Sequence, residues 1–310
     1  MKIKVVSALI IIGLIAAVSW WLRGPAGGSL ADQPHYLYAL YGDAKTGELR
    51  NPMGVTVSPD GRIFVADTGN AQIQVFKSNG KSSLSIGKGQ LNYPLGLAYK
   101  DGKVYVADSN LNKVFVFDDQ GKALAPLLDN LRLPGSGAAV RPAAVATGPD
   151  DLFYIADIAD QAIVVVDAGG KLIRQFGSPG SGPGQFQYPN GLWVDREGKV
   201  YVADSNNGRI EIFDKDGRFL SQITNRTAAD SGGLTLPRGL AVTPEGYIIV
   251  VDVFSNKVFA FDTSGRQVWN LGSEGKGNGQ FNLPNGLCLD NQGRVYVTDR
   301  ENNRVEVFGN

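Results

Sequence analysis

The sequence predicts an all-β fold: a six-bladed β-propeller of four-stranded antiparallel blades, closed by an N-terminal strand and preceded by one transmembrane helix. Three observations carry this. The nonapeptide GKVYVADSN is written twice, at 102–110 and 198–206. A proline signal, in most copies Pro-x-Gly, recurs at Pro52, Pro94, Pro142, Pro189, Pro237 and Pro284, spaced by 42 to 48 residues. An uncharged run, VVSALIIIGLIAAVSWWL, occupies residues 5–22.

That run comes first. As a helix it would extend about 27 Å, close to the roughly 30 Å hydrocarbon core of a bilayer. Lys2 and Lys4 precede it and Arg23 follows it, with Trp20 and Trp21 at the position of an interfacial belt. Residues 1–23 are therefore read as a signal-anchor, with the N-terminus cytoplasmic and the body extracytoplasmic at the cell membrane. The alternative is a signal peptide cut near Ala17-Val18-Ser19, leaving a secreted or periplasmic body. Residues 24–34, GPAGGSLADQP, form a flexible tether, and 35–310 the propeller.

Each repeat then reads as four short strands. In the fourth, GLWVD, VYVAD, RIEIFD and RFLSQI are separated by turns such as REGK and KDG. Alternating β-branched and aromatic residues between such turns mark antiparallel hairpins. The sixth repeat ends after three strands at RVEVFGN, and HYLYALYG at 35–42 supplies the fourth. Closure of this kind removes exposed sheet edges.

The repeated P-x-G, the ADSNxx[KR][VI] strand end and connections such as GSPGSGPGQFQYPNG (177–191) resemble the NHL-repeat family of six-bladed β-propellers, as a bacterial, membrane-anchored member. The resemblance covers 35–310. It implies an interaction platform, as in the external sensor domains of some bacterial transmembrane kinases. No kinase or other signalling segment accompanies it here.

Asp67, Asp108, Asp157, Asp204, Asp252 and Asp299 end the second strand of every repeat, and Lys113, Arg209, Lys257 and Arg304 follow five positions later in four of them. A residue copied six times is read as a structural turn whose carboxylate accepts backbone N–H groups, and no metal site is assigned. Glycine-rich connections such as GSPGSGPGQF and GSEGKGNGQF open no helix, so they are loops and not phosphate cradles. DKDG at 214–217 lacks the rest of a calcium loop.

Composition narrows the function. Excluding Lys2, Lys4 and Arg23, the body carries 27 basic against 30 acidic residues, without the surplus expected of a phosphate-backbone binder. No nucleic acid is expected. Cys288 is the only cysteine, so no intramolecular disulfide or multi-cysteine zinc site can form. It stands where other repeats put Thr56, Ala98, Ala146 and Ala241, a slot for a small buried side chain. His35 is the only histidine. The resemblance includes relatives that hold zinc through several histidines, a set that cannot be built here, and others that use a histidine base, which would need His35 in the channel, where it is not expected. No catalytic residue or cofactor is assigned.

Function is sought where the repeats differ. The residue inside P-x-G reads Met53, Leu95, Ala143, Asn190, Arg238 and Asn285. The resemblance places this segment at a mouth of the central channel, three apolar positions facing three polar ones, suited to an amphipathic ligand or peptide. Trp193 occupies the small-residue slot and either fills a gap between blades or faces the channel as a platform. The third repeat departs from pattern with Ala144 and Ala162, and the connection 124–141 before it is a docking face or a loop packing its own leucines. The expected function is a membrane-anchored extracytoplasmic binding or scaffold module for a protein, peptide or envelope ligand. The alternative is a propeller enzyme, a lyase or metal-dependent hydrolase.

Overall fold

The computed structural model describes residues 32–224 and 233–310. The anchor expected at 1–23 and most of the tether lie outside the described residues; among these, no helix is long and apolar enough to cross a membrane.

Six four-stranded antiparallel sheets form the body. Each runs in chain order from an inner strand, which begins at or just after the repeat proline, to an outer one. In the fourth blade these are Pro189–Val194, Val200–Asp204, Arg209–Phe213 and Phe219–Ile223. The sixth blade is Pro284–Leu289, Val295–Asp299 and Arg304–Gly309, and its fourth strand is His35–Leu40. That strand pairs antiparallel with the C-terminal one, His35 against Gly309 and Leu40 against Val305. The two chain ends thus close the ring, as the short sixth repeat predicted.

The second strands are buried along nearly their whole length, because both faces of each sheet are covered by neighbouring blades. Their period-2 alternation splits the apolar residues between two neighbours. In the first blade Ile63 and Val65 pack toward the sixth, beside Tyr296 and Val305. Phe64 and Ala66 pack toward the second, beside Val104, Val106 and Phe117. The core is therefore six interblade layers arranged as a ring.

Outer strands carry a bulge near their start, shifting register between Val165 and Val166 in the third blade and between Ile212 and Phe213 in the fourth. Such bulges spoil the free edge as a template for a further strand. The connection 124–141 packs its own leucines: Leu127, Leu128, Leu133 and Val140 are buried in the layer between the second and third blades. This is the packing reading of the two.

Candidate functional site

Inner strands enter at one end of the ring, and the six P-x-G segments meet there around one cavity. Its lining includes Met53, Leu95, Ala143, Asn190, Arg238 and Asn285, followed in each blade by the motif glycine or Ala144 and a leucine or valine. The cavity measures about 80 Å³. On the scale at which one water needs roughly 10–15 Å³, that admits a few waters or one short side chain, and no large organic molecule.

The motif glycines explain how the strands come so close. None needs positive φ; they are needed for space. A Cβ on Gly54 would stand 2.1 Å from the Leu95 carbonyl oxygen, and one on Gly286 2.2 Å from that of Met53. On Gly191 it would stand 1.9 Å from the Arg238 carbonyl oxygen. Each glycine thus receives the mouth residue of the next blade.

Arg238 is the unusual member. It makes no ion pair or hydrogen bond among the described residues, and its Nε is buried without a partner. Burial holds its guanidinium below the usual arginine value, Arg300 pushes the same way, and Tyr93 opposes them. Arg300 itself is bound to Glu301 at 2.7 Å. Asn190 donates to the Tyr188 carbonyl at 2.8 Å and to Ser205 Oγ at 3.1 Å. The Asn285 amide has no hydrogen bond among the described residues. The lining contains no Asp, Glu, His, Cys, Ser or Thr.

Trp193 does not join this group. It is absent from the cavity lining and packs, partly buried, against the apolar layers on both sides of the fifth blade. The slot it occupies points toward the next blade, as Ala98, Ala146, Ala241 and Cys288 also do, so its channel-facing reading is corrected to packing.

The repeated aspartates lie just outside the mouth, all fully buried. Each accepts backbone N–H groups from the chain entering its blade: Asp67 from Arg50, Asp108 from Asn92 and Tyr93, Asp157 from Arg141. Asp204 takes Gln187, Asp252 takes Thr235 and Leu236, and Asp299 takes Asn282. The cation five residues later serves the aspartate in only two blades. Arg209 binds Asp204 and Arg304 binds Asp299, each at 2.8 Å, whereas Lys113 turns to Asp129. In the third blade Ala162 stands there, Asp157 Oδ2 is left without a partner, and burial raises the Asp157 carboxyl.

The same two arginines hold the glycine-rich connections. Arg209 donates to the carbonyls of Ser181, Gly182 and Gln185. Arg304 donates to those of Lys276, Gly277 and Gln280. Behind them lie Glu211 and Glu306, each pushed up to about 7 by burial, with the neighbouring arginine opposing. His35 sits exposed on the closing strand, away from the mouth, and burial raises the Cys288 thiol well above its ordinary value. Among the described residues no three His, Cys, Asp or Glu side chains are grouped to hold a metal.

One feature was not legible in the sequence. A residue before proline is normally extended, yet Asn51, Tyr188 and Leu283 adopt φ of +45°, +57° and +52°. A left-handed conformation costs an ordinary residue roughly 1–2 kcal/mol. Side chains of the preceding blade clamp these backbones: Asn303 accepts from Asn51 N, Gln161 from Tyr188 N and Asn256 from Leu283 N. Tyr188 is 50% exposed, and Tyr93 (41%) and Phe254 (66%) are exposed on turns of the same face.

A protein-family model described as NHL repeat matches residues 49–76, 91–117, 186–213 and 281–308, the first, second, fourth and sixth blades. Protein lin-41 of Caenorhabditis elegans is 52% identical over 50 residues, covering 16% of this chain and 4% of that protein. NHL repeat-containing protein 3 of Homo sapiens is 37% identical over 86 residues, 23% of this chain and 24% of that protein. The matches span well under two thirds of these relatives, both animal proteins, which offer no support for a bacterial origin. A streptogramin B lyase structure superposes with TM-score 0.63 at 14% identity, covering 90% of this chain and 99% of that one. A chain of a nidogen/laminin complex gives 0.59 at 19%, covering 72% and 80%. At those identities the likeness is one of fold.

Proposed function

We propose, for this NHL-repeat six-bladed β-propeller, a non-catalytic role: it binds a protein or peptide partner at the mouth around Arg238. The observation that carries this is an arginine held in a cavity with no anion to pair it. Arg238 is only partly buried, but its Nε is enclosed without a partner, and such unsatisfied cations gather where a ligand supplies the partner. Arg238 lies in one of the two blades outside the family match, where departures from the shared repeat are concentrated. The shared fold of a chain in a nidogen/laminin complex is consistent with a protein partner.

In this reading residues 5–22 anchor the propeller at the outer side of the cell membrane. The closing strand begins at His35, opposite Gly309 and so at the far end of the ring from the turn after Asp299. A chain tethered through residue 35 would point its Arg238 mouth away from the bilayer.

The enzyme reading has one supporting observation, the fold shared with a streptogramin B lyase. The cavity lining, with no carboxylate, imidazole, thiol or hydroxyl, supplies no general acid or base.

A photo-crosslinker at Asn285 in the full-length, membrane-bound chain tests the proposal, with one at Leu220, exposed on the outer strand of the fourth blade, as reference. A partner trapped from Asn285 alone, and lost in Arg238→Met, is the expected result; capture that ignores Arg238 overturns it. Arg238→Met is also expected to raise the stability of the unliganded protein by up to about 1 kcal/mol, since it removes a partly buried cation that has no partner. A urea titration measures this, and a loss of stability would mean that the guanidinium has an internal role.

A further inference from the structure

We infer that the mouth takes an acidic peptide, inserting one carboxylate beside Arg238 while the flanking residues lie on the aromatic rim. This rests on the binding role just proposed and names its ligand class. Charge is the first ground. Arg238 is the one charged residue of the lining, and a carboxylate is the planar anion that a guanidinium recognises through two parallel hydrogen bonds.

Size and polarity narrow the anion. A cavity of about 80 Å³ suits a side-chain carboxylate on one or two methylenes. Met53, Leu95 and Ala143 of the first three blades receive the methylenes, while Arg238 and Asn285 face the charge; the Asn190 N–H groups are already engaged with Tyr188 and Ser205. A phosphate has no methylenes to set against the apolar half, and its remaining charged oxygens would be desolvated there.

The rim supplies the third ground. Tyr188 is half exposed at φ +57°, its backbone held there by Gln161 of the preceding blade. It lies three residues before Gly191, whose α-carbon abuts the Arg238 backbone. Tyr93, just before the inner strand of the second blade, is likewise exposed, giving this face a second amphipathic ring. Tyrosine beside arginine is a composition enriched at energetically dominant contact points.

Three synthetic hexapeptides test the inference against the full-length protein in detergent, by calorimetry or fluorescence anisotropy. One carries a central glutamate between leucines and an amidated end. The second has glutamine in its place. The third keeps glutamine but has a free C-terminal carboxylate. The glutamate peptide is expected to bind at least about 10-fold more tightly than the fully neutral one, and a comparable gain from the third would support a chain-terminal carboxylate as the source. Arg238→Met should remove either gain. Tyr188→Asn, which suits a left-handed backbone, should weaken the glutamate peptide several-fold while raising Tm by a few degrees.

Equal binding of all three peptides overturns the inference, as does tighter binding of inorganic phosphate or of a salt-sensitive RNA oligonucleotide. An Arg238-dependent crosslinked partner found alongside equal peptide binding would leave the broader role standing and remove only this ligand class.

Discussion

Gly191→Ala is expected to cost about 3 kcal/mol or more and lower Tm by on the order of 10 °C. The added Cβ would stand 1.9 Å from the Arg238 carbonyl oxygen and 2.9 Å from the Ala203 Cβ. Neither neighbour can yield cheaply. Arg238 belongs to Pro237–Val242, fixed by its ladder to Ile248–Asp252, and Ala203 lies in the fully buried second strand of its own blade. Relief requires the fourth and fifth blades to separate, opening the layer that holds Ala203, Ile210, Leu240 and Val250. The third blade provides the reference. Ala144 already occupies the glycine position there, so Ala144→Gly is expected to change stability by no more than about 1 kcal/mol. Chemical denaturation of both variants measures the contrast. A Gly191→Ala protein as stable as the parent would mean that the inner strands are not apposed as closely as described.

The same glycines show why so much of the fold was legible and the site less so. A glycine required by the neighbouring blade in five of the six repeats leaves a period in the sequence, and so does an aspartate required by each entry turn. The missing fourth strand of the last repeat and the spare strand at 35–42 likewise gave the closure directly. What leaves no period is harder to read. Trp193 was ambiguous because a sequence does not say which side of an inner strand faces the adjoining blade. The arginines at 209 and 304 looked like members of a four-blade set with Lys113 and Lys257. Their difference lies in the glycine-rich connections, whose carbonyls are 24 to 28 residues away in sequence from the arginine they meet. The backbone of Tyr188 and Leu283 left no sequence signal for a physical reason: proline biases its predecessor toward extended backbone, and the clamps that overcome this come from another blade. Arg238 could be named as a mouth residue from its register, but its lack of a partner depends on what the other blades do not offer.

Arg304→Met is expected to be as damaging as the glycine change, and to be damaging in a pH-dependent way. Arg304 bonds Asp299 at 2.8 Å, Glu306 at 3.0 Å and the carbonyls of Lys276, Gly277 and Gln280. Its loss leaves two buried carboxylates without their cation and releases the 272–282 connection, a change worth about 3–5 kcal/mol at alkaline pH. Glu306 sets the pH window. Its carboxyl is pushed up to about 7 in the folded protein, from an ordinary value of 4.5, with burial as the main cause. Between these values the native state holds more protons than the unfolded one, so stability falls as pH rises through that interval and levels off above it. Removing Arg304 takes away the interaction that favours ionised Glu306, so the variant should lose stability more steeply than the parent and over a window reaching higher pH. Adding Glu306→Gln should flatten the dependence and return part of the stability at pH 8.5, because the amide can still accept from Gly279 N–H without carrying charge. Tm measured at pH 5.5, 7.0 and 8.5 for the parent, the single variant and the double variant separates these cases. A single variant equally destabilised at all three would mean that Glu306 does not titrate there, and that Arg304 acts through Asp299 and the loop carbonyls.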